Sequence, residues 1–304
     1  MSGSRLSASL AAAALTLLVS GHGIAYCLTR TCDPTTTMCE IQNECNISGK
    51  ALFWPNSCVS FDVQKDGSQK EQISASTLDG LVTNAFKQWL NADCGNGTHP
   101  SIQIADYGPV DCAKPEYNKA QPNANIITFH DAMPWPHPNA ADTLALTTVF
   151  FDGDTGEIYD ANMEINSAEY SFQIGTAGGL PDLNGVLTHE LGHFLGLSHS
   201  DQPNATMYRS YMVGMDTLDQ DDVEGICASL PPNRVTAGTE CTPRHGFSGE
   251  CGKPETGCCA TAIGSSASTN QTLGLFAFGL GLCAWHGRRR RQGRSVWGRL
   301  RGAN

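Results

Sequence analysis

The chain has 304 residues, 40% of them hydrophobic, and a formal net charge of -11. That length suffices for a substantial core and for one or two domains. Between Tyr26 and Glu255 there are 11 Lys/Arg against 30 Asp/Glu, a net charge of -19. A body that acidic repels phosphate backbones and speaks against nucleic-acid binding.

Met1 to Ala25 reads as a secretory signal. Arg5 supplies the positive start, Leu10 to Ser20 is an apolar run too short to span a membrane, and Gly23-Ile24-Ala25 offers small residues for cleavage. Ten of the 13 cysteines lie between Cys27 and Cys251, an even number compatible with up to five disulfides whose pairing spacing does not reveal. Cys-x2-Cys ligand pairs are absent there, so disulfides in an oxidising compartment are expected rather than a cysteine zinc module. Residues 26–50 read as a Cys-rich N-terminal extension.

From residue 51 to 232 the pattern is that of a mixed domain. Cys58 to Val63 alternates as a half-buried strand does. Leu78, Leu81, Val82, Ala85, Phe86, Trp89 and Leu90 recur at helical spacing, with Ser76 or Thr77 as N-cap. Ser101–Ile104 and Asn125–Phe129 read as short strands. Leu144–Phe151 and Glu157–Ile165 read as a hairpin across Asp152-Gly153-Asp154-Thr155-Gly156. That turn is rich in Asp and Gly, but it lacks calcium-loop spacing; Ca2+ stays possible and unassigned.

The chemistry concentrates in His189-Glu190-Leu191-Gly192-His193-Phe194-Leu195-Gly196-Leu197-Ser198-His199. Residues four apart share a helix face, so His189 and His193 can ligate one metal ion. Gly196 can end the helix in a left-handed conformation and bring His199 round as a third ligand. Three protein nitrogens with one open position is a catalytic zinc arrangement, and Glu190 is placed as general base.

This stretch resembles the extended zinc signature of the metzincin metallopeptidases, and Ser200 resembles their matrixin branch. Ala205 to Tyr211 is similar to the matrixin Met-turn, and Leu218 to Ile226 to the start of that family's last helix. The resemblance implies an α+β, zincin-like catalytic domain, with a mixed twisted sheet, an active-site helix and a C-terminal helix. It implies one catalytic Zn2+, with Met207 as an apolar floor beneath it and Tyr211 lining a substrate pocket. It also implies that strands ahead of the zinc helix form a rim for an extended peptide, and that Asp221 and Asp222 tie the last helix to the Met-turn. Arg209 stands where the family usually has proline. The family's cysteine-bearing propeptide motif is not found. His130, Asp131 and His137 do not reproduce the family's structural-zinc spacing and are explained by a loop rich in Pro and Trp.

Residues 233–271 read as a disulfide-rich, flexible linker. Residues 272–291 combine a short apolar helix with an Arg cluster, and 292–304 form a basic tail. Together these resemble the C-terminal sorting tail of secreted myxobacterial proteins, which engages the membrane before processing. The expectation is a monomeric, secreted or surface-attached zinc endopeptidase acting on proteins or peptides. Its rivals are a catalytically silent zinc-containing surface adhesin and a zinc hydrolase acting on something other than peptides.

Overall fold

The computed structural model describes residues 26–34 and 37–250 in full and 293–300 as backbone. The signal segment, the spacer, the apolar run and the Arg cluster therefore lie outside the described residues. Among the described residues no helix is long and apolar enough to cross a membrane.

In chain order the elements are a small hairpin, β1 (Ile41–Gln42) and β2 (Cys45–Asn46), then β3 (Cys58–Gln64), α1 (Ala75–Leu90), β4 (Gln103–Val110) and β5 (Ile126–Phe129). There follow β6 (Ala145–Asp152), β7 (Ile158–Ile165), α2 (Leu183–Phe194), α3 (Gln220–Ser229) and β8 (Gly293–Leu300). The main sheet runs β4-β3-β5-β7-β6, with β8 added outside β6. β3 is parallel to β4 and β5, and β5 is parallel to β7. Only β6, joined to β7 by a tight turn, and β8 break the parallel run, each by an antiparallel pairing. This mixed sheet with few helices is the expected α+β, zincin-like architecture.

α1 forms because Leu78, Val82, Ala85, Phe86 and Trp89 fall on one buried face. Phe86 packs between Phe61 of β3 and Phe194 of α2, at centroid distances of 5.3 and 5.4 Å. The N-cap is Ser74, whose side chain accepts the Thr77 N–H, so the helix starts earlier than Ser76 or Thr77. Each of these hydroxyls suits the cap equally by type, and the chain's entry from the Ser68–Ile73 turn decides among them.

β3 corrects a second expectation. It is buried on both faces from Cys58 to Val63 rather than half exposed. Its far face is covered from downstream: Cys58 is disulfide-bonded to Cys241, and Ser60 N–H donates to the Cys241 carbonyl at 3.0 Å. Strands flanked on both sides lose the polar alternation that marks a solvated face. The polar face of β3 is instead packed with Ser60 and Asp62, both buried.

The β6–β7 turn spends its own acid. Asp152 accepts the Asp154 and Thr155 N–H groups at 2.9 and 3.0 Å and the Tyr159 hydroxyl at 2.6 Å. The Tyr159 hydrogen bond, ahead of the backbone donors, holds the Asp152 carboxyl down to about 2. A hairpin turn with Gly156 at φ +84° accounts for this sequence, and nothing in it assigns calcium.

Candidate active site

α2 starts at Asp182, whose side chain accepts the Asn184 N–H at 3.1 Å. Tyr211 lies at this cap: its hydroxyl accepts the Asp182 N–H at 2.8 Å, and its ring is 9% exposed, packed in the core. The helix ends at Phe194, and Gly196 takes φ +97°, which turns the chain sharply back. Leu197 N–H donates to the Gly192 carbonyl at 2.9 Å and closes the turn.

The returning segment carries His199 between two supports. On one side Ser198 N–H donates to the Cys27 carbonyl and Thr29 N–H to the Gly196 carbonyl, so the N-terminal extension forms a bridge with it. That extension is stapled by Cys27–Cys45 and Cys32–Cys39. On the other side Ser200 N–H donates to the Met207 carbonyl at 2.9 Å. Arg209 continues past Met207 to pair with Glu44 of the extension.

The three imidazoles converge, with their ligand atoms all within 4.8 Å of one another. His189 Nδ1 faces the Thr206 carbonyl at 2.6 Å, and His193 Nδ1 faces the Leu197 carbonyl at 3.0 Å. A carbonyl can only accept, so each Nδ1 carries the proton and each Nε2 presents a bare lone pair. His189 Nε2 is buried with no hydrogen-bond partner. His193 Nε2 and His199 Nε2 stand 3.3 Å apart. Tetrahedral geometry with Zn–N of about 2.0–2.1 Å requires about 3.3 Å between ligand nitrogens, so this pair matches zinc and the three residues together could hold it. Burial holds His189 well below the usual histidine range and His193 down to about 4, keeping both in the neutral form that ligates.

Met207 packs against α2 at Gly192. A Cβ on Gly192 would lie 2.2 Å from Met207 Sδ and 2.9 Å from Trp89 Cζ2. The thioether could move, but Trp89 is held by its Nε1–H donating to the Thr188 carbonyl at 2.8 Å. Gly192→Ala is therefore expected to destabilise the fold by about 1–3 kcal/mol. An unchanged melting temperature would rule out this close packing.

The Met-turn hangs on α3. Asp222 accepts the Thr206 N–H at 2.7 Å, the Met207 N–H at 3.0 Å and the Asp219 N–H at 2.8 Å. Asp221 accepts the Ser200 hydroxyl at 2.6 Å. The tie expected of this acidic pair is present: Asp221 holds Ser200 and Asp222 holds Thr206 and Met207.

Two groupings were not visible in the sequence. His130 and His137 both point Nε2 at the Glu164 carboxylate, at 2.5 and 2.9 Å, with Trp135 edge-on to each ring. Asp131 instead accepts the Ser68 and Ser167 hydroxyls and the Lys70 N–H. Thr147 of β6 donates to Glu190 Oε2 at 2.6 Å. The histidine-bearing loop offered a composition signal but not its partner; Thr147 offered none.

Comparison with known proteins agrees with this geometry. Residues 116–229 match the model of the Matrixin family. Interstitial collagenase of Oryctolagus cuniculus is 52% identical over 50 residues, 16% of this chain and 11% of that protein. Metalloendoproteinase 1-MMP of Arabidopsis thaliana is 46% identical over 54 residues, 17% of this chain and 15% of that one. Matrix metalloproteinase-20 of Homo sapiens is 37% identical over 91 residues, 29% of this chain and 18% of that one. The matched part covers less than a fifth of each of these curated relatives. Between residues 116 and 229 the chain is matrixin-like.

Proposed function

We propose that the chain is a secreted or surface-attached, zinc-dependent endopeptidase. The observation that carries this reading is the convergence of three imidazoles, two of them kept neutral by burial, beside a buried glutamate. His189, His193 and His199 would hold the zinc. When bound, zinc supplies a Lewis acid that makes water acidic near neutrality and polarises the scissile carbonyl. Glu190 accepts the proton of the attacking water and returns it to the leaving amine. Thr206 and Leu197 carbonyls hold two of the ligand rings in orientation, so little reorganisation accompanies binding.

An extended peptide fits this surface because the outer edge of β6 accepts an antiparallel strand. Residues 293–300 lie there, in register from Ala145↔Leu300 to Asp152↔Gly293. A substrate adding to the same edge would take their place. Four disulfides among the described residues suit an oxidising, extracellular setting. A silent adhesin is not favoured, since each His and Glu190 of the signature is present.

The test is zinc content and hydrolysis of casein by the purified chain, before and after chelation. Activity that survives complete zinc removal sinks the proposal. His199→Ala is expected to weaken zinc binding by tenfold or more; unchanged zinc affinity would reject it as a ligand.

A further inference from the structure

We infer that Thr147 is a positioning residue for Glu190, fixing the carboxylate on the side of the cleft from which it meets the attacking water. This rests on the proposed function for the role of Glu190, but the contact itself does not. In β6 the residues Ala145, Thr147, Val149 and Phe151 alternate onto one face of the sheet. Ala145, Val149 and Phe151 belong to the main apolar core, so Thr147 is the lone polar member of that row. It is fully buried. A buried hydroxyl requires a partner, and this one has two acceptors on the same residue of α2. The Glu190 carboxylate Oε2 lies at 2.6 Å and the Glu190 carbonyl at 3.2 Å.

A hydroxyl has a single proton, so the shorter, charge-assisted contact takes it. The contact also fixes the rotamer: Glu190 is itself fully buried, and the strand is held in register on the other side by Thr147↔Met163. A flexible glutamate would have to find this orientation at each turnover. Here the sheet holds it beforehand.

The experiment compares Thr147→Val and Thr147→Ser in the zinc-loaded full chain. Valine keeps the shape and removes the donor; serine keeps the donor. Thr147→Val is expected to lower kcat roughly tenfold to a hundredfold, as loss of a hydrogen bond to a charged group does. KM should stay within about twofold and zinc content should be unchanged. Thr147→Ser should recover most of kcat. A valine variant with wild-type kcat overturns the inference, and so does a loss that serine fails to restore, which would signal packing alone. A second readout needs no activity: in crystals of the metal-free Thr147→Val protein, the Glu190 carboxylate should leave its wild-type position. If the wild-type chain were inactive with zinc bound, the proposed function would fall, and that crystal comparison would still decide the contact.

Discussion

Glu190→Ala is expected to bind zinc as the wild type does and to lose kcat/KM by about 10²–10⁴ or more, the span attributed to a positioned general base. The separation of the two effects follows from the geometry. Glu190 takes no part in the three-nitrogen set, two of whose rings are held by the Thr206 and Leu197 carbonyls. Its carboxylate is anchored from β6 by Thr147. Removing it empties the proton acceptor while leaving the ligand rings where they are. Zinc stoichiometry and peptide hydrolysis measured on the same preparation check this. Persistent hydrolysis with zinc bound would falsify the general-base assignment. Glu190→Asp sharpens the test: the shorter side chain keeps a base but cannot reach both Thr147 and water, so its rate should fall between wild type and alanine.

The parts of the site that sequence exposes are those built by local geometry. His189 and His193 are one helical turn apart, and Gly196 supplies the φ +97° that returns His199; each of these needs only neighbouring residues. What sequence hides is set by partners far along the chain. The Thr147 hydroxyl reads as an ordinary strand residue, since threonine is common in strands, until α2 packs Glu190 against it. Cys27 pairs with Cys45 and Cys94 with Cys227, pairings that spacing leaves open among ten cysteines. The double burial of β3 depends on Cys241 and its neighbours, 183 residues downstream of Cys58. The N-terminal extension read as a stapled segment, but its bridge to Leu197, two residues before His199, required the fold.

Asp222→Ala carries the largest expected effect on stability. One carboxylate accepts three backbone N–H groups, two of them from Thr206 and Met207. Alanine leaves those buried donors without an acceptor, at about 1–3 kcal/mol for each that water cannot reach. A total of about 3–5 kcal/mol, at about 2–4 °C per kcal/mol for a domain of this size, gives a melting temperature lower by roughly 10 °C. The loss should extend to the metal, because the Thr206 carbonyl orients His189. Zinc affinity should therefore fall although no ligand is touched. Asp222→Asn should be milder but still costly, since its amide nitrogen would face an N–H. The wild-type pH dependence adds an independent check. Burial, aided by the Asp221 charge, pushes the Asp222 carboxyl up to about 6, above the ordinary value near 4 of the unfolded chain. The folded protein binds the extra proton, so this group's contribution is present below about pH 4 and is lost as pH rises through about 6. That slope should be missing from the alanine variant. A melting temperature unchanged by the substitution, with the same pH slope as wild type, would mean that α3 does not hold the Met-turn.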